Sequence, residues 1–81
     1  MNGEIFDNYA PSTGNVRNIA SEISNKVLKG QTNNVVVNLS DSSVTPQELQ
    51  NQLNNYPIPG LKQVIVINKS GEVIPLKIGE N

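Results

Sequence analysis

The 81-residue chain contains no cysteine and no histidine. Their absence excludes disulfide staples, thiolate nucleophiles, zinc fingers, Ser-His-Asp triads and imidazole acid–base chemistry. Any catalysis must use carboxylates, Lys, Tyr or Ser. Aromatic residues are limited to Phe6, Tyr9 and Tyr56, too few for an extended platform that stacks the bases of a single strand. Charge of one sign is lacking as well. Six Lys+Arg stand against seven Asp+Glu, so net charge does not drive generic adhesion to nucleic acid. No apolar run approaches the ~20 residues of a membrane helix. Glu4 and Asp7 stand where a secretory signal would carry basic and then apolar residues. The chain therefore reads as soluble and cytoplasmic, without a membrane partner. Its glycines stand alone, outside the spacings of dinucleotide and P-loop cradles. Its carboxylates are spread so that no pair is singled out for glycosidase chemistry.

What is present is a small α/β pattern. At 8.8 kDa the chain makes one small domain, burying only about 60% of its unfolded surface. Asparagine is abundant but scattered, unlike a prion-like tract. Residues 4–9 combine aromatic and β-branched side chains, and Pro11 bars Ala10 from helical geometry, so a strand is expected there. Val16, Ile19, Ala20, Ile23 and Val27 recur at spacings of three and four, which project onto one helix face. Gly30 suits its C-cap, and Lys26 and Lys29 suit the negative end of its dipole. Residues 35–39 form a β-branched run without alternation, as in a strand covered on both faces. Thr45-Pro46-Gln47-Glu48 is a strong helix start, with a capping box and proline at the first helical position. That helix turns Leu49 and Leu53 inward and ends before Pro57. Residues 64–67 and 72–78 make a closing hairpin, in which Pro75 marks an edge strand. The expected order is β-α-β-α-β-β: three parallel strands, an antiparallel edge strand and two helices.

Within this frame Asp7 is the most informative residue. A carboxylate in an otherwise apolar strand needs a metal ion, a Lys or Arg partner, or solvent at the strand end. Alternation puts Ile5, Asp7 and Tyr9 on one face. Lys26 lies close to Ile19 on the flank of the helix's apolar stripe, where its ammonium either reaches toward the sheet or snorkels to water. Arg17 sits in the first helical turn, against the dipole, so it is either solvated or paired with an anion such as a phosphate. Tyr9 is either a polar-tipped core residue or a stacking surface.

In order along the chain, the motifs FDxYxP (from Phe6), NxRNI (from Asn15), VxNLxDS (from Val36) and PIxGLKxVIVI (from Pro57) occur. Together they resemble the C-terminal tRNase domains of contact-dependent growth inhibition toxins, the CdiA type. Similar domains end some phage-head and polymorphic-toxin proteins. The resemblance implies a PD-(D/E)XK-like nuclease that hydrolyses RNA with a divalent metal (Mg, Mn or Zn). It places Asp7 as metal ligand and Lys26 as the catalytic lysine, which replaces the lysine that the wider superfamily carries where Tyr9 stands. Tyr9, Arg17 and Lys29 are then candidate contacts to tRNA. In the family a helix with a Glu and a Pro-Asp precede this strand, so residues 1–81 are expected to be the C-terminal part of a larger nuclease toxin domain. An immunity protein is the expected partner, and cytoplasm the expected place of action after delivery from a larger secreted or phage-associated protein. The alternative is a catalytically inactive remnant that needs no cofactor and acts as a small protein-binding module or homodimer.

Overall fold

A computed structural model describes residues 6–30 and 33–78. It comprises β1 (Phe6–Tyr9), α1 (Val16–Leu28), β2 (Asn34–Asn38), α2 (Pro46–Asn55), β3 (Gln63–Ile67) and β4 (Val73–Pro75). Residues 4 and 5 of the expected first strand lie outside the described residues. The sheet order is β1-β2-β3-β4; β1, β2 and β3 run parallel, and β4 pairs antiparallel with β3. The expected β-α-β-α-β-β order is thus observed.

Each helix is delimited by its own polar residues. The Asn15 side chain accepts hydrogen bonds from the Arg17 and Asn18 amides, which satisfies donors that a helix start leaves open. Lys29 is the C-cap of α1, and Gly30, one residue further on, takes the left-handed conformation (φ 74°) that favours glycine. In α2 the Thr45 side chain accepts from the Glu48 amide while the Glu48 carboxylate accepts from the Thr45 amide. This is the reciprocal box expected from the sequence.

The core lies between the helices and one face of the sheet. Ile19 and Ile23 of α1 and Leu49 and Leu53 of α2 pack with Val35 and Val37 of β2 and Val64 and Val66 of β3. The buried valines alternate along each strand, so all four point to the helices. This corrects the expectation that β2 is covered on both faces. Val36, Ile65 and Ile67 alternate with the buried valines and are only partly buried, and among the described residues no helix lies over them. The physical reason is the strand order. Two successive crossovers of the same hand between neighbouring parallel strands put both helices on one side.

The closing strand is shorter than the expected 72–78. After Pro75 one ladder bond continues, from the Leu76 amide to the Val64 carbonyl (2.8 Å). Gln50 of α2 then captures Lys77: its Oε1 accepts from the Lys77 amide (2.8 Å) and its Nε2 donates to the Lys77 carbonyl (2.7 Å). A side chain thereby replaces the strand partner.

Ser42 ties the loops at the C-terminal ends of β1 and β2. It is 1% exposed; its Oγ donates to the Thr13 carbonyl (2.6 Å) and accepts from the Val44 amide (3.0 Å). Ser42→Ala strands a buried donor and an acceptor and is expected to cost about 1–3 kcal/mol. Urea unfolding should show a lower midpoint at unchanged slope; an unchanged midpoint would show the bonds to be dispensable.

Candidate functional site

Among the described residues β1 is one of the two edge strands of the sheet, and its register sets the site. Asp7 pairs with Val35 and Tyr9 with Val37, both buried beneath the helices, so Asp7 and Tyr9 project to the helix side. Above them runs the last turn of α1, which holds Lys26. Its Nζ donates to Asp7 Oδ2 at 2.9 Å and lies 5.5 Å from the centroid of the Tyr9 ring. One ammonium is thus held by a carboxylate and by the face of a phenol. The Lys26 and Asp7 side chains are 21% and 32% exposed, so the pair is neither sealed in the core nor fully screened by water. It keeps charge within reach of a ligand approaching the open edge.

Tyr9 is shaped by the same position. Burial pushes its phenol above the ordinary value, and the nearby Glu22 carboxylate adds to the effect. The hydroxyl stays protonated at neutral pH and offers a hydrogen bond and a neutral ring rather than a second anion.

The other expected contacts are placed differently. Lys29 caps the end of α1, one turn beyond Lys26 on the same flank. Arg17 precedes Lys26 by nine residues, which at 3.6 residues per turn puts it about half a turn around the helix, on the flank that faces α2. The fold therefore brings Asp7, Tyr9 and Lys26 together, leaves Lys29 beside them and separates Arg17. The contact between Lys26 and the Tyr9 ring was not anticipated from sequence. Its signal was available: the strand alternation that paired Tyr9 with Asp7 directs both at the same helix flank.

A metal finds only part of a site here. Hard divalent cations take six or more oxygens, or several with retained waters. Among the described residues no group of three or more metal-ligating side chains occurs, and Asp7 is the carboxylate that β1 contributes. These residues alone do not fit a divalent ion.

Comparisons with known proteins now give the family to which this α/β sheet belongs. Residues 1–73 match the family described as the contact-dependent growth inhibition CdiA C-terminal domain, and the chain belongs to that family. It is 61% identical over 77 residues to the tRNA nuclease CdiA-2 of Burkholderia pseudomallei (strain 1026b), covering 95% of this chain and 2% of that protein. Its fold matches a chain of the CdiA-CT/CdiI toxin and immunity complex from Burkholderia pseudomallei with a TM-score of 0.87 and 62% identity. That match covers 94% of this chain and 58% of the other. The chain thus spans a small fraction of the curated relative and somewhat more than half of its structural neighbour.

The raised Tyr9 pKa has a testable sign. A phenol that holds its proton more tightly folded than unfolded contributes stability that is full below the unfolded value near pH 10 and is lost as pH rises through the higher folded value. Tyr9→Phe should therefore flatten the loss of stability above about pH 10 seen in urea titrations of the parent. Parallel alkaline profiles for the two proteins would show that Tyr9 does not contribute.

Proposed function

We propose that this domain is a ribonuclease of the tRNase toxin class, hydrolysing RNA phosphodiesters at the β1 edge. The observation that carries the reading is the Lys26–Asp7 contact of 2.9 Å beside the Tyr9 ring, in a chain 61% identical to a tRNA nuclease. Lys26 is the electrostatic element. As water adds to phosphorus and the P–O bond to the leaving ribose oxygen breaks, negative charge grows on the phosphoryl oxygens, and a fixed ammonium stabilises that charge more than the ground state. Asp7 positions the ammonium by its hydrogen bond, and Tyr9 holds it from the ring side. Lys29, one turn away, is placed to meet a neighbouring phosphate.

Metal dependence is part of this proposal, with Asp7 as one ligand and Mg²⁺, Mn²⁺ or Zn²⁺ as candidates. The remaining oxygens would have to come from outside the described residues, so no step is assigned to the ion. By likeness to its structural neighbour, a toxin with its immunity protein, this domain would also be neutralised by a dedicated immunity protein. Its place of action would be the cytoplasm of a target cell, after delivery from a larger protein. The half-buried apolar face at Val36, Ile65 and Ile67 favours a second reading, a non-catalytic module that associates through that face.

The test is incubation of the purified protein with total tRNA, with and without each metal, on denaturing gels. Asp7→Ala and Lys26→Ala should each lower cleavage about 100-fold or more, the scale of losing one preorganised group. Cleavage indifferent to both substitutions would overturn the site. Absence of cleavage under every metal, together with a concentration-dependent dimer in sedimentation, would favour the second reading.

A further inference from the structure

The half of α1 that faces away from Lys26 borders a groove of its own. It lies between α1 and the C-terminal end of α2, has a volume of about 280 Å³ and is lined by Arg17, Ser21, Ser24, Gln52 and Tyr56, with the Pro57–Pro59 link closing one end. That is near the lower limit of small-ligand sites, ~300 Å³. We infer that this groove holds an unpaired nucleotide of the RNA substrate, its base stacked on Tyr56 and its phosphate met by Arg17. The inference rests on the proposed RNA-cleaving function and adds a second point of contact on the same substrate.

Four observations support it. Tyr56 is 62% exposed, an unusual state for one of only three aromatic residues in the chain. Its backbone is fixed, the amide donating to the Gln52 carbonyl at 2.9 Å, and Pro57 follows directly, so the ring is presented from a rigid support. Arg17 stands in the first turn of α1, where no acidic residue is present, and makes no ion pair among the described residues. A cation at the positive end of a helix is destabilising by itself, and a bound phosphate reverses that sign. The hydroxyls of Ser21 and Ser24 and the amide of Gln52 supply both donors and acceptors along the groove, the capacity that ribose hydroxyls and base edges require.

The ridge between groove and edge suits the same ligand. The solvent side of α1 exposes Asn18, Ser21 and Asn25, all neutral, while Glu22 lies on the Lys26 flank. A helix with its side chains is about 10–12 Å across, so a strand crossing α1 from Lys26 to Tyr56 leaves the Glu22 carboxylate beside its start and then passes over amides and a hydroxyl. A duplex end placed against Lys26 and Lys29 would direct its single-stranded tail into the groove.

The measurement is fluorescence anisotropy in EDTA, which separates binding from cleavage. It compares an RNA hairpin carrying a short single-stranded tail with the same hairpin blunt-ended. The tailed hairpin should bind about tenfold more tightly, the scale of one stacked base. Tyr56→Ala should remove that preference and leave the blunt hairpin unaffected, whereas Tyr56→Phe should retain it, since the ring and not the hydroxyl does the stacking. Arg17→Gln should weaken the tailed hairpin and lower its salt slope by about one. Both substituted residues are exposed, so circular dichroism should show unchanged folding. A tail preference that survives Tyr56→Ala, or equal binding of both hairpins, overturns the inference while leaving the cleavage site standing. Failure to bind either hairpin overturns both.

Discussion

Two helices of 13 and 10 residues can cover one face of a four-stranded sheet and no more. Everything else in the molecule follows from which face that is. Once Ile19, Ile23, Leu49 and Leu53 close over Val35, Val37, Val64 and Val66, strand alternation leaves Val36, Ile65 and Ile67 on the other side, half in water. The same alternation decides the chemistry of the edge strand. Asp7 and Tyr9 share the buried phase of β2, so the carboxylate is carried beneath α1 rather than into solvent. There it needs a partner, since an unpaired charge at a partly dry edge is costly. Lys26 is that partner because the last turn of α1 ends over the edge.

The pair costs and contributes in unequal ways. Between fully exposed residues an ion pair is worth about 0–1 kcal/mol, and at 21% and 32% exposure this one is only somewhat better insulated. Its value for stability is thus small, while its geometric value is large. A lysine has four rotatable bonds, and a carboxylate on one side with an aromatic face on the other leave few positions for the ammonium. Such a group is oriented before any ligand binds, and in the proposed reaction that is the condition under which electrostatic stabilisation would lower a barrier.

How much of this was legible in the sequence depends on the range of the signal. The helix starts and stops were readable because the determinants are local: Thr45 and Glu48 satisfy each other, Gly30 accepts a positive φ, and Pro75 cannot donate in a central strand. The strand order was readable because crossover rules leave few choices for β-α-β-α-β. The Asp7–Lys26 pair was readable in part, since each residue broke its local pattern, and the family resemblance named the same two. The single-sided cover of β2 was not readable. Its valine run is the same whether one face or two are packed, and the deciding fact is the number of helices on each side. Ser42 was hidden for a similar reason, as its partner Thr13 lies 29 residues away in another loop. Arg17 was singled out by its conflict with the helix dipole, but its distance from the edge follows from angular position around α1 rather than from sequence separation.

A chain with net charge −1 must also be reconciled with the polyanionic substrate proposed for it. The summed charge gives no attraction, so the attraction has to be local. Half of the six cations, Arg17, Lys26 and Lys29, sit on α1 and its cap, with Glu22 the single carboxylate there. Asp7 of β1 offsets Lys26 directly, while the acids Asp41, Glu48 and Glu72 lie on the β2–α2 loop, on α2 and before β4, on other elements of the fold. With a Debye length of about 8 Å at physiological salt, a phosphate close to α1 responds to the cations of that helix far more than to carboxylates beyond that distance. One helix thus acts as a basic element on a nearly neutral body. Because Arg17 and Lys26 are about half a turn apart around α1 and roughly 13 Å apart along it, a strand that met both would run obliquely over the helix. That orientation, set by the spacing from Arg17 to Lys26, is what would bring a scissile phosphate to the Asp7 edge while the rest of the strand is held elsewhere.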